Sequence, residues 1–406
     1  MNAELHALVD RAKEDVLRWR RHLHEYPELA FEEHATARYI MDELSAFPHC
    51  AIAQPTPTSV LVSLKGARPG KTVALRADID ALAIEEQSGV PFSSKNRGIM
   101  HACGHDAHTA MLMGAVKMLS ALQHRLQGEV RFIFQHAEEL PPGGARELVA
   151  QGIMDGVDMV FGLHVWATQP TGTVWFEPGV FCASVDDFDL YIRGRGGHAS
   201  MPHMAIDPIM VGAHIHTALQ TIVSRRLDPA QAAVVTVATF EANGGYNVIP
   251  ETVHLAGTVR SHVREHRTAI PRMIDETIEG ICAAFGAEHD MQWRQDGYPV
   301  GMNAPKAVDV ARTVVEQYLP ECRPLRGLTP MFGGEDFARY ADRVPGCFLF
   351  LGCGNDAIGA NKGLHTPQFV LDERVMDFGL AVHVGIVDHL LVGERTGDNA
   401  RSQAIE

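Results

Sequence analysis

The sequence predicts an α/β fold in which a larger unit built on a mixed sheet is interrupted by a smaller unit with its own sheet. Three observations carry this reading. Continuous apolar runs, of the kind buried on both faces of a parallel or mixed sheet, alternate with segments of helical periodicity. Between residues 184 and 296 the succession changes to strand, helix, two strands, helix, strand. At 406 residues the chain has material for two or three domains and a sizeable core.

In chain order, residues 3 to about 45 have helical periodicity, broken near Tyr26-Pro27. The apolar strand runs are SVLVSL (59–64), TVALRAD (72–78), VRFIFQ (130–135) and MVFGLHVW (159–166), with a helix expected at 108–123. From 184 come DFDLYIRG, the helix DPIMVGAHIHTALQTIV, the strands AVVTVATF and TVHLAGTVR, the helix RTAIPRMIDETIEGICAAF and the strand EHDMQWRQ. That order is the ferredoxin-like plan. After Gly297-Tyr298-Pro299 the α/β character resumes with a helix at 305–318, the strand CFLFLG (347–352) and a helix at about 372–392. The expected domains are 1–183 with 297–393, and an inserted unit at 184–296. Residues 394–406 lack periodicity and are expected to be a flexible tail.

Charge narrows the partners. Lys and Arg number 35 against 50 Asp and Glu, a net −15, so the chain repels phosphate backbones and anionic lipid. Neither nucleic acid nor a membrane surface is expected as a partner. No run approaches the roughly 18 apolar residues of a membrane span, and the N-terminus carries no apolar signal stretch. A cytoplasmic location follows as the expectation. Seven scattered cysteines fit reduced thiols better than a disulfide framework. The outlier is histidine, with 22 residues, the commonest metal ligand and neutral-pH acid or base.

HACGHDAH (101–108) holds a thiol, three imidazoles and a carboxylate just before a helix. A lone Cys or His reads as a packed core residue, but so many costly polar groups together need a shared partner. Cys103 and His105 at i and i+2 can reach one ion from a loop. A nucleophilic Cys103 activated by His105 is the other reading, and chelators distinguish the two. HAEELPPGG (136–144) closes the VRFIFQ strand, placing Glu138 and Glu139 at the carboxyl end of a core strand, where α/β sheets carry their sites. Two adjacent carboxylates are costly there without a cation. With one present, one can ligate while the other handles a proton. His164 and His365, each unremarkable alone, bring the set to five N, S and O donors with Cys103, His105 and Glu139, enough for two ions. Thiolate and imidazole favour zinc or another late first-row metal, with manganese possible through the carboxylate.

LHEYPELAFEE (23–33), LRADIDALAIEE (75–86), MHACGHDAHTAMLMGA (100–115), FQHAEELPPGGA (134–145), GRGGHASMPH (194–203), NVIPETVHLAGTVR (247–260), GGEDFARY (333–340) and LHTPQF (364–369) resemble, in order, the amidohydrolase branch of the M20 metallopeptidase family. The resemblance implies two divalent metal ions, zinc first with Mn or Co as alternatives, held by Cys103, His105, Glu139, His164 and His365, with Glu138 as the catalytic base. It implies that the inserted unit acts as a lid and dimerisation domain. His198 would stabilise the oxyanion, and Asn247 and Arg260 would bind the polar end of a small N-acyl amino acid substrate. A di- or carboxypeptidase is the alternative within the family. A catalytically silent metal-binding protein is a further one, disfavoured by the extra base Glu138. The chain departs from the wider pattern at Arg76-Ala77-Asp78 in place of His-x-Asp, at Cys103 in place of a bridging Asp, and at Ala83, His136 and Leu140. These neighbours bear on substrate preference.

Overall fold

The computed structural model describes residues 3–294 and 296–392. The tail expected at 394–406 lies outside the described residues. Among those described, the apolar runs build a mixed eight-stranded sheet in the order Cys50–Ala53, Val60–Lys65, Gln127–Gln135, Arg68–Asp78, Met159–Pro170, Gly346–Gly354, Thr173–Trp175, Arg323–Pro324. Its four central strands are mutually parallel, with Asp78 paired to Gln135, Arg76 to Gly162 and His164 to Phe350. Asp78, Gln135 and His164 therefore reach the same edge, the carboxyl ends of the parallel strands. The three strands the sequence did not announce, at Cys50–Ala53, Thr173–Trp175 and Arg323–Pro324, are short and peripheral. They have too few residues for a recognisable alternation.

Helix His105–Ala121 is buried along almost its whole length. It packs against the Ala3–Glu25 and Val375–Leu391 helices and the Arg68–Asp78 strand. That explains why its middle, AMLMGAV (110–116), is continuously apolar: a helix covered on every side has no polar face to show there. Met111, Leu112, Met113, Val116 and Leu119 join Phe132, Phe134, Phe161 and Leu349 in one core, each fully buried side chain worth roughly 1.5–3 kcal/mol. The helical periodicity expected to break near Tyr26-Pro27 folds as two helices, Ala3–Glu25 and His34–Leu44, the second starting where the carboxylate of Glu28 accepts from the N–H groups of Ala35 and Thr36.

Contacts divide the chain into two units. One comprises residues up to Gly179, Met302–Leu328 and the chain from Arg339; the other comprises Val180–Gly301 and Thr329–Ala338. Thr329–Ala338, expected with the larger unit, groups with the smaller one. The Ala183 N–H donates to the carbonyls of Met331 (3.0 Å) and Gly333 (3.2 Å), and Phe181 meets Phe337 edge-on.

The smaller unit carries strands Ser184–Arg193, Ala233–Ala242, Thr252–Ser261 and Glu288–Arg294, and helices Pro208–Thr221 and His266–Phe285. Every pairing in its sheet is antiparallel, in the order Ala233–Ala242, Thr252–Ser261, Ser184–Arg193, Glu288–Arg294. Its core follows from two periods. Phe188, Leu190 and Ile192 alternate inward from a strand. Val211, Ile215 and Leu219, and Ile270, Ile274 and Ile278, recur every four residues on the helices. The alternate sheet face is polar, with Asp189 bonded to His254 at 2.8 Å.

Candidate metal centre

In the larger unit the expected donors converge. Cys103 Sγ lies 3.3 Å from His164 Nε2 and 3.3 Å from His365 Nε2. Glu139 Oε1 lies 3.2 Å from His365 Nε2 and 3.8 Å from His105 Nε2. Donor atoms of Cys103, His105 and His164, of Cys103, Glu139 and His365, and of His105, Glu138 and Glu139 form three groups, each within 4.8 Å. Residues separated by up to 262 positions thus meet at one sheet edge.

Local backbone explains how. Cys103 precedes Gly104, which sits at φ 87° and ends the loop so that His105 opens the helix. A side chain at Gly104 would place Cβ 2.4 Å from Val165 Cγ2, so only glycine fits. His365 is itself left-handed (φ 61°), and its N–H donates to the Ala102 carbonyl at 2.9 Å, which fastens the LHTPQF segment beside Cys103. After Gln135 the chain turns through Ala137 at φ 49° and is closed by Gly144 N–H donating to the Ala137 carbonyl.

The imidazoles are oriented by acceptors that cannot donate. His164 Nδ1–H donates to the Val165 carbonyl at 2.6 Å, leaving the Nε2 lone pair facing Cys103. His105 Nδ1–H is held by the carbonyl of Asp80 (3.0 Å) and by its carboxylate (3.1 Å). The other oxygen of Asp80 accepts the Glu139 N–H at 2.9 Å, so one carboxylate fixes two of the donors. This is the outer support that metal-binding histidines characteristically have. His108, in the same dense motif, is not a donor to the cluster: its Nδ1–H meets Asp78 at 2.6 Å and its Nε2 accepts from Val165 N–H at 2.9 Å. Arg76 reaches the Asp78 carboxylate at 2.7 Å.

The electrostatics ask for a cation. Burial lowers the affinity of His105 for a proton, yet Asp78, Asp80 and Glu139 prevail and push its pKa up to about 10. Burial, Glu139, Glu138 and Asp78 push the Cys103 thiol well up, opposite to what an activated nucleophile needs. Burial and the proximity of His108 hold His164 neutral, its pKa well below the usual value. His105 Nε2 is buried without a hydrogen-bond partner, and buried Glu139 Oε1 has only its ion-pair contact with His365 at 3.2 Å. Buried polar atoms left in this way normally have an ion or water to meet, and these atoms face the other donors. The residues fit a dinuclear centre.

In the smaller unit, strands Gly197–His198 and Val248–Ile249 pair, and Ala199 N–H donates to the Asn247 carbonyl at 3.0 Å. His198 and Asn247 line a concave space of about 510 Å³ with Gly197, Asn243, Val248 and Glu251. Ser200 N–H donates to His198 Nδ1 at 3.1 Å. A backbone N–H cannot accept, so Nδ1 must, and the ring proton of neutral His198 sits on Nε2. Arg260 is placed apart, on the sheet opposite Val234 and Val185, 3.5 Å from the Asp187 carboxylate.

Residues 74–389 match the profile of peptidase family M20/M25/M40. The chain belongs to this family. Its M20 relatives include the N-acyl-L-amino acid amidohydrolase of Geobacillus stearothermophilus, 46% identical over 297 residues that span 73% of this chain and 80% of that one. Thermostable carboxypeptidase 2 of Saccharolobus solfataricus is 36% identical over 93% of this chain and 97% of its own. The crystal structure of a dinuclear metal-binding M20 peptidase from Bacillus subtilis superposes with a TM-score of 0.80 at 34% identity, covering 94% of this chain and 99% of that one.

Two supporting residues, Asp80 and Glu33, were not singled out from sequence. Asp80 had a usable signal, the alternation of Asp78 and Asp80 at the end of a core strand. Glu33, whose Oε1 accepts the Ala137 N–H at 2.7 Å, had none, since that partner lies 104 residues away.

Proposed function

We propose that this chain is a metal-dependent hydrolase cleaving the amide bond of N-acyl amino acids to a carboxylic acid and an amino acid. The observation that carries it is the cluster of Cys103, His105, Glu139, His164 and His365 with a second buried carboxylate, Glu138, beside it. A purely structural site needs no such extra base. The five donors exceed what one tetrahedral zinc uses, which supports two ions, zinc first and Mn or Co as alternatives. When bound, such ions polarise the scissile carbonyl and lower the pKa of water at the site.

The residues divide the remaining work. Glu138 takes a proton from the attacking water and returns it to the leaving nitrogen. His198, with its proton on Nε2, donates a hydrogen bond to the oxyanion rather than acting as a base. Asn247, at the same rim, and Arg260, once released from Asp187, recognise the substrate carboxylate. We read the smaller unit as a ferredoxin-like lid through which two copies pair. Its strand order and the exposed edge strand Ala233–Ala242 support that reading. Seven free cysteines support a cytoplasmic location, and no helix among the described residues is long and apolar enough to cross a membrane.

The carboxypeptidase relative favours a second reading, in which the acyl group is an aminoacyl group. A panel of N-acetyl and N-benzoyl amino acids set against dipeptides, run on metal-stripped protein with Zn, Mn or Co restored, separates them. Turnover of the N-acyl compounds at least tenfold faster supports the proposal; preference for dipeptides overturns it.

A further inference from the structure

The turn that carries Glu138 and Glu139 is not self-supporting. Ala137 has φ 49°, a region where an ordinary side chain crowds the backbone. Nothing in its own sequence favours this, since neither glycine nor asparagine stands there. The chain returns at once to Glu139, whose N–H is taken by Asp80. Something must therefore hold the peptide between His136 and Glu138.

The one acceptor on the Ala137 N–H comes from far away in the chain. Glu33 Oε1 receives it at 2.7 Å, from a side chain with no solvent exposure. Glu33 stands at the start of the His34–Leu44 helix but does not cap it, because Glu28 takes the free N–H groups of Ala35 and Thr36. Its carboxyl is thereby left to turn inward, and its Oε2 has no hydrogen-bond partner. A buried carboxyl kept there with one oxygen unmatched is costly; the backbone N–H groups of Phe31 and Glu33 also face it, but Ala137 is the one distant segment that it holds.

We infer that Glu33 is a positioning residue, holding Ala137 in the left-handed conformation from which Glu138 and Glu139 project toward the other donors. This rests on the proposed roles of Glu138 and Glu139 as base and ligand. Burial and the neighbouring Asp80 push the Glu33 carboxyl up to about 8, so at neutral pH it is the uncharged acid. Glutamine then reproduces both its shape and its acceptor oxygen.

The test uses the full chain with five proteins: wild type, Glu33→Gln, Glu33→Ala, Ala137→Gly, and Glu33→Ala with Ala137→Gly. Two readouts are taken, kcat and KM on an N-acetyl amino acid, and zinc retention against a competing chelator. Glu33→Gln should stay within threefold of wild type in both. Glu33→Ala should lose about tenfold to hundredfold in kcat with KM little changed, and about tenfold in zinc retention. Glycine at 137 adopts the left-handed conformation without the steric cost, so in that background the same Glu33→Ala change should cost less than threefold. Equal losses in the two backgrounds, or wild-type behaviour of Glu33→Ala, overturn the inference. If Glu33→Ala does not fold alone, a loss beyond tenfold in a folded Glu33→Gln protein overturns it too. Should the substrate class be wrong, zinc retention still reads the coupling, so the two failures are told apart.

Discussion

The Cys103–His164–His365 cluster and the His198–Asn247 rim are built on opposite principles. In the first, the donors come from segments up to 262 residues apart, His105 is oriented by Asp80 from another segment, and most side chains are buried. In the second, the deciding contact joins residues two apart, Ser200 to His198, on an exposed strand. Burial among many partners suits a site that must keep cations in a fixed geometry, because any displacement leaves a polar atom unpaired. A locally fixed, solvent-facing histidine suits a group needed only when substrate is present. The comparison predicts that changes in the first region alter metal binding, activity or both, while changes in the second alter activity alone.

The largest effect should come from Glu138→Gln, which lies in the first region but is assigned no ligand role. Its kcat should fall by about two orders of magnitude or more, with metal content by elemental analysis near wild type. Loss of metal there, with retention in Glu139→Gln, would mean the two roles are exchanged. Next comes His198→Ala, expected to lower kcat by about a hundredfold while leaving metal content and thermal midpoint unchanged. A drop in metal content would dissolve the distinction between the two regions. If His198 acts across a dimer, mixing this variant with Glu138→Gln should regenerate activity once subunits exchange.

Asp80→Ala sharpens the comparison from the other side. By releasing both His105 and the Glu139 backbone, it should weaken metal affinity by about tenfold to a hundredfold, measured by chelator competition. The smallest effect concerns pH. The pKa of Glu33 is raised in the folded state from 4.5 to about 8, so its contribution to stability is whole below about pH 4.5 and declines as pH rises toward 8. The thermal midpoint of Glu33→Gln relative to wild type should therefore rise steadily from pH 5 to pH 8, and a pH-independent difference would argue against a raised pKa.

The elements with clear periodicity were legible from sequence because period and burial agree. The 3.6-residue spacing of Pro305–Tyr318 and the unbroken apolar run of Gly346–Gly354 each match the layer they occupy. The peripheral strands were not legible, because two to four residues carry no period. Thr329–Ala338 could not be assigned to the smaller unit for a different reason: its hold on Ala183 is made by backbone groups, which any sequence supplies. For the site, donor chemistry was visible because Cys, His and Glu are expensive to bury together. Their supports were less visible. Asp80 was marked only by its alternation with Asp78 at a strand end, and Glu33 acts through the strained Ala137, a residue whose identity gives no warning.

The proposed function requires the buried cluster to work as a pair of cation sites serving amide hydrolysis. The most direct measurement is a titration of metal-stripped protein with Zn, followed at each point by bound metal and by turnover of an N-acetyl amino acid. No turnover is expected at zero metal, and full activity at two equivalents per chain. Undiminished activity in metal-free protein, or saturation of both signals at one equivalent, would contradict it.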